Sequence, residues 1–296
     1  RDGETLAIVG ESGCGKSVTA LSVLRIFASP PGKIIGGDIL FKGESLLAKS
    51  EREMRRIRGN EISMIFQEPL TSLNPVFTVG QQIGESFTMH QGLNKKDARV
   101  KGIEMLRKVG IPSPEKVIDD YPHQLSGGMR QRVMIAMALG CNPSILIADE
   151  PTTAMDVTIQ AQILKLLGEL KKELNTAIIL ITHDLGIVAQ IAQNVMVMYA
   201  GQAVEYADVH ALFREPLHPY TRGLLASVPV IGEEKDNLYS IKGSIPSPKD
   251  YPKGCRFCPR CEYAMDKCRE QAPELTEVKP GRRVRCWLYE GGDSNG

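Results

Sequence analysis

The chain carries no surplus of either charge: 36 Lys and Arg stand against 35 Asp and Glu in 296 residues, a net charge of +1. Binding nucleic acid through a bulk electrostatic field needs a strong basic excess, so that class is set aside. No apolar run reaches the roughly 18–20 residues that span a bilayer. The nearest stretch, Ala177 to Ala200, is broken by His183, Asp184, Gln190, Gln193 and Asn194. Any work at a membrane is therefore expected to be peripheral. No secretory leader is visible, and Arg1-Asp2-Gly3 reads as a start inside a domain. Cysteine is scarce before position 255, where only Cys14 and Cys141 occur, yet five more fall between Cys255 and Cys286. Without a secretion signal, that clustering reads as a metal or cluster site before it reads as disulfides.

What remains is an ordinary globular composition, 42% hydrophobic and 24% charged, in a length that suits one large or two medium domains. Gly3 to Val9 reads as a buried strand, and directly after it comes Gly10-Glu11-Ser12-Gly13-Cys14-Gly15-Lys16-Ser17. Val18 to Phe27 then has helical spacing with no Gly or Pro. Strand, glycine loop and helix make a phosphate-binding loop. Backbone N–H groups converge on phosphate where no side chains intervene, and the helix adds its positive N-terminal end. Lys16 is expected to reach the β- and γ-phosphates of ATP and the Ser17 hydroxyl to ligate Mg²⁺, with Gly10, Ser12, Gly13, Cys14, Gly15 and Val18 completing the set. Cys14 sits in a variable slot of the loop, where small-residue packing explains it better than redox chemistry.

Three more apolar strands end in chemistry. Ser144 to Ala148 ends in Asp149-Glu150, with Asp149 expected on Mg²⁺ and Glu150 polarising the attacking water as general base. Ala177 to Ile181 ends in Thr182-His183-Asp184, and His183 is expected at the γ-phosphate. Ile62 to Phe66 ends in Gln67, placed to reach Mg²⁺ or the water. In a parallel sheet such strand ends gather on one edge.

Leu125-Ser126-Gly127-Gly128-Met129-Arg130-Gln131-Arg132 is a second glycine-bearing loop at a second helix start, hence a second anion site. One ATP does not need two such loops from one chain. This run resembles the signature loop of ABC ATPases, and Lys16, Gln67, Asp149, Glu150, Thr153-Ala154-Met155-Asp156 and His183 follow in that family's order over residues 1 to 230. The resemblance implies two ATPase subunits, identical or paralogous, meeting head to tail. Ser126, Gly127, Gly128 and Gln131 of one would then close on the ATP held by the other. It also implies that Asp156 communicates across that interface, while Gln67 and the residues after it meet a membrane subunit.

Gln67 to Pro75 and Leu217-His218-Pro219-Tyr220-Thr221-Arg222 resemble the dipeptide and oligopeptide importers of this family, with a nickel importer as the neighbouring alternative. The implied assembly has two transmembrane permease subunits, an extracytoplasmic substrate-binding protein and a place on the cytoplasmic face of the inner membrane. Nucleic acid is not among the implied partners. In one respect the chain departs from the pattern: none of the nine residues before Gly10 is aromatic, so the residue that stacks on adenine is expected to lie outside this chain.

The expected fold is α/β, a P-loop NTPase (RecA-like) core with an inserted helical subdomain at about residues 69–139 and a small cysteine-rich C-terminal extension. Val79 to Met89 and Lys96 to Val109 carry the helical patterns, and Pro112, Pro114 and Pro122 break the run. Met129, Met134 and Met137 read as packing. Residues 231–252 read as a linker and residues 231–296 as a second domain. Its cysteines are spaced C-x2-C-x2-C-x6-C-x17-C. That spacing leans towards a [4Fe–4S] cluster, with Zn²⁺ as alternative. Peptide-importer tails resemble this one in the cysteines corresponding to Cys255, Cys261, Cys268 and Cys286, leaving Cys258 extra. Trp287 reads as a packed aromatic, and Arg282, Arg283 and Arg285 as a solvated basic face. The rivals to a transport ATPase are an ABC ATPase of DNA repair or translation and a nucleotide-gated module without turnover. The short single cassette argues against the first, and Glu150 with His183 against the second.

Overall fold

A computed structural model describes residues 3–67, 72–153, 155–228 and 239–290. Residues 68–71 of the Gln67–Pro75 run, Ala154, and residues 231–238 of the expected linker lie outside the described residues. The chain divides into two units, Arg1–Glu4 with Ala20–Leu180, and Thr5–Thr19 with Ile181–Gly296.

In the second unit β1 (Thr5–Val9) runs parallel to β7 (Asn194–Tyr199), with Leu6 opposite Asn194 and Val9 opposite Val197. The β-branched and apolar residues of both strands are almost wholly buried, as a strand covered on both faces requires. β8 (Gln202–Asp208) turns back antiparallel on β7, and β10 (Arg282–Val284) pairs antiparallel with β8 and with β9 (Thr276–Lys279). The cysteine-rich tail therefore extends the same sheet. Around it pack α8 (Leu185–Ile191), α9 (Val209–Arg214) and α10 (Pro219–Ala226), while the short α11 (Asp266–Glu270) carries Cys268.

In the first unit β4 (Ile62–Ile65) runs parallel to β5 (Ile145–Asp149), followed in the sheet by β6 (Ala177–Ile181). A small ribbon, β2 (Leu40–Phe41) and β3 (Glu44–Ser45), precedes α2 (Glu51–Ile57). The helical region holds α3 (Val79–Gln91), α4 (Lys95–Lys108), α5 (Pro114–Val117) and α6 (Gly127–Leu139), and α7 (Val157–Leu174) follows β5. Thr78 opens α3 with a reciprocal capping box to Gln81, and Asn94 accepts the Lys96 and Asp97 N–H groups at the start of α4. Side chains from these helices, including Ile83, Phe87, Leu106, Ile118 and Ile135, are fully buried. α1 (Lys16–Leu24) begins in the second unit and ends in the first.

Two expectations change here. The signature glycines do not form a loop ahead of the helix but lie inside α6, which starts at Gly127 with Ser126 as its cap. Arg282 and Arg285 are not a solvated face. Arg282 is 7% exposed and bonded to Glu215, and Arg285 donates to the carbonyls of Ala203 and Pro273 at 2.9 Å each; Arg283 alone is exposed. A carboxylate and backbone carbonyls distant in sequence meet these guanidinium groups, which a local sequence window does not show.

Candidate functional site

Residues 10–15 form a tight loop between β1 and α1, and Lys16 and Ser17 open the helix. Gly10, Gly13 and Gly15 have φ of +153°, +81° and +102°. At Gly10 a Cβ would stand 2.2 Å from the Met198 carbonyl oxygen, so only glycine fits there. Cys14 is fully buried behind the loop, and burial pushes its thiol up despite the Lys16 charge beside it. That position supports packing. Ser12 and Gly13 are exposed, and Val18 is 62% exposed. Lys16 is only 7% exposed, its Nζ donating to the carbonyls of Gly10 at 2.8 Å and Glu11 at 3.2 Å.

Glu11 is held at three points. Its N–H donates to Tyr220 Oη at 2.9 Å, its carbonyl accepts from Lys16, and its carboxylate accepts two bonds from Arg260, at 2.7 and 3.0 Å. His183, at the end of β6, lines a cleft of about 320 Å³ together with Val9, Gly10, Glu11, Gly186 and Leu224. Within this unit the fold thus brings His183 to the phosphate loop. Sequence reasoning missed Tyr220 and Arg260 as neighbours of the loop. Tyr220 was visible only as part of a family-like motif, and Arg260 carried no signal.

In the first unit Asp149 ends β5 at 4% exposure. Glu150 follows in a left-handed conformation, φ +44°, a strained backbone for a residue with a side chain. Its Oε2 accepts from Gln67 Nε2 at 3.0 Å and from Thr153 Oγ1 at 2.8 Å. Two sequence-separated candidates, Gln67 and Glu150, therefore meet directly. Ser126 caps the 13-residue α6, accepting the Met129 N–H at 3.3 Å, and Ser126 and Gly127 are exposed. Gln131 is 1% exposed and donates to the Pro151 carbonyl at 2.6 Å, tying the signature helix to the Asp-Glu strand end. Asp156 caps α7 by accepting the Ile159 N–H at 2.9 Å.

In the tail, Cys255, Cys258, Cys261, Cys268 and Cys286 line one small cavity with Phe257 and Trp287. Burial, and then the neighbouring thiols, push Cys255 and Cys286 up to about 11. Among the described residues no group of three His, Cys, Asp or Glu is placed to hold a metal ion, so the cluster and zinc expectations are not met by this geometry.

The ABC transporter family profile matches residues 1–153, and the profile for the oligopeptide/dipeptide transporter C-terminal region matches residues 204–268. The chain is 58% identical over 288 residues to the oligopeptide transport ATP-binding protein AppD of Bacillus subtilis, covering 97% of this chain and 88% of that protein. It is 51% identical over 286 residues to the dipeptide transport ATP-binding protein DppD of Escherichia coli, covering 97% and 87%. Among solved structures it resembles a dimeric ATP-binding cassette in a post-hydrolysis state bound to ADP and Pi, at TM-score 0.61 and 26% identity, covering 71% of this chain and 87% of that one. The cbiO1 part of the cbiONQ ABC transporter complex of Clostridium perfringens matches at TM-score 0.61 and 32% identity, covering 73% and 81%.

Proposed function

The chain belongs to the ABC transporter ATP-binding family, and from that premise we propose that it is the ATP-hydrolysing subunit of an importer for dipeptides or oligopeptides. One observation carries the reading: a cassette match and a peptide-transporter C-terminal match lie on one chain, which is 51–58% identical to oligopeptide and dipeptide transport relatives over nearly its whole length. DNA repair, translation and nickel import have no such support.

The division of labour follows from the chemistry of each residue. Lys16 would exchange its two loop carbonyls for the β- and γ-phosphates, joined by the N–H groups of residues 12–18, and Ser17 would present its hydroxyl to Mg²⁺. Asp149, buried at a strand end, and Gln67 are oxygen donors of the hard kind that Mg²⁺ takes, and the ion there would offset phosphate charge. Glu150 accepts the proton of the attacking water, oriented by Gln67 and Thr153. His183 contacts the γ-phosphate from the cleft it shares with Gly10. Ser126, Gly127 and Gly128 at the start of α6, the first two exposed, cap the ATP of a second ATPase subunit, identical or paralogous.

Residues 1–230 serve as the nucleotide-binding domain and residues 231–296 as its cysteine-rich appendage. A groove of about 660 Å³ lined by Phe77, Gln81, Gln82, Glu85 and Arg99 follows closely on Gln67 in sequence and suits a loop of a transmembrane permease. No helix among the described residues is long and apolar enough to cross a membrane. A peripheral seat on a permease pair at the cytoplasmic face follows from the transport role proposed above. Four of the tail cysteines, Cys255, Cys261, Cys268 and Cys286, would be the ones to hold a [4Fe–4S] cluster, or else Zn²⁺. In favour stand five thiols around one cavity; against stands their present spacing. The function is tested by reconstituting the chain with a permease pair and binding protein in vesicles. Peptide uptake that needs ATP is the expected outcome, and uptake of nickel without peptide would overturn it.

A further inference from the structure

Arg260 lies between Cys258 and Cys261, in the appended segment and 249 residues from Glu11, yet each of its three nitrogens donates a hydrogen bond, Nη1 and Nη2 to the phosphate loop. Its Nη1 and Nη2 fork onto both carboxylate oxygens of Glu11 at 2.7 and 3.0 Å. Its Nε donates to the Lys242 carbonyl at 2.8 Å, and Nη2 also reaches the carbonyls of Ile241 and Gly243 at 3.2 and 3.1 Å. The side chain is 4% exposed, against 32% for Glu11, and its guanidinium carbon lies 5.7 Å from the Tyr199 ring centre. A planar five-donor fork so enclosed is a rigid clamp, which a lysine cannot reproduce.

The neighbouring residue contacts repeat the pattern. Arg256 donates to the Ala200 carbonyl, and the next residue, Gly201, donates its N–H to the Cys14 carbonyl at 2.8 Å. Phe257 packs against Tyr199 and Tyr220, at 5.2 and 5.4 Å between ring centres, and Tyr220 accepts the Glu11 N–H. The cysteine-rich segment thus backs the loop from Glu11 to Cys14 from behind.

We propose that Arg260 is a positioning residue for ATP: it neutralises Glu11 and fixes the phosphate loop, so that the cysteine-rich segment sets the affinity of a site to which it contributes no contact. The inference rests on the reading that residues 10–17 hold the ATP phosphates. Glu11 is the one acidic side chain within that loop. Left without its cation it would add negative charge beside a polyphosphate. It would also compete for the Lys16 ammonium, which already touches the Glu11 carbonyl.

The test is a cycle in the full-length chain: wild type, Arg260→Ala, Glu11→Gln and the double variant, each titrated with Mg-ATP at two salt concentrations. Arg260→Ala is expected to weaken ATP binding about ten-fold, within the usual range of coupling between sites. It should raise KM more than it lowers kcat, and added salt should narrow the gap. In the Glu11→Gln background the same substitution should change binding less than two-fold. Arg260→Lys should recover the charge effect in part. Unchanged affinity in Arg260→Ala would overturn the proposal. So would an equal loss in both backgrounds, which marks a purely structural role; thermal unfolding of each variant identifies a folding defect by its independence of Glu11. If wild type itself fails to bind Mg-ATP while folded, the fault lies with the phosphate-loop reading instead.

Discussion

Gln67 Nε2 donates to Glu150 Oε2 at 3.0 Å, linking the end of β4 to the end of β5 through side chains 83 positions apart. Thr153 binds the same oxygen at 2.8 Å, so the carboxylate is aimed by two donors. The backbone beneath it is strained, at φ +44°. A residue kept in that conformation without glycine costs about 1–2 kcal/mol, which points to a role for its side chain.

Glu150→Gln should therefore lower ATP turnover by roughly 10²–10⁴ while leaving ATP binding intact. Glu150→Gly should unfold at a slightly higher temperature than wild type yet be equally inactive. Steady-state turnover beside thermal unfolding separates the two effects. The ATP-loaded Glu150→Gln protein should also form dimers by light scattering, and a bulky Ser126→Phe change should abolish them. Full turnover by Glu150→Gln would remove it as the base.

Gly10 and Gly13 should respond differently to alanine, although both have positive φ. At Gly10 the new methyl meets the Met198 carbonyl oxygen at 2.2 Å, and a backbone must move. The expected loss is about 3 kcal/mol or more. At Gly13 nothing lies within 4 Å, so only the backbone strain remains, about 1–2 kcal/mol. Chemical denaturation of the two variants checks the order.

His218 is 1% exposed, and burial pulls its pKa down to about 3. Its Nδ1 accepts the Tyr220 N–H at 3.0 Å, the neutral ring's cap on α10. The folded value lies below the roughly 6.5 of an unfolded histidine, so the unfolded chain takes up the proton first. The stability involved is full above about pH 6.5 and is lost as the pH falls towards 3, at up to about 1.4 kcal/mol per pH unit. His218→Asn keeps a capping side chain that does not titrate. Its melting temperature should fall less than that of wild type between pH 7 and pH 5; parallel curves would refute the assignment.

The cysteine tail makes a separate test. Cys286 sits in the field of Cys255, Cys261 and Cys268. Anaerobically purified protein should contain iron and acid-labile sulfide. Serine at Cys255, Cys261, Cys268 or Cys286 should remove both, and serine at Cys258 should not. Stoichiometric zinc without sulfide would replace the cluster by the alternative ion, and neither metal would leave the thiols purely structural.

The sequence by itself determined the chemistry that is local. A phosphate cradle needs its glycines, lysine and serine within eight positions, so residues 10–17 were legible, as was the strand that leads into Asp149 and Glu150. Helix and strand positions followed from apolar period and capping, with ends displaced by a few residues where Ser126 and Asn94 set the true starts. Tertiary structure alone decided what local chemistry cannot encode: the left-handed Glu150, the Gln67–Glu150 bond, the burial of Arg282 and the Arg260 fork on Glu11. These depend on which distant segments share a sheet or enclose a charge. A carboxylate looks the same in a sequence whether water or a guanidinium 249 residues away neutralises it; only the folded chain sets that choice, because desolvation and pairing are properties of surroundings.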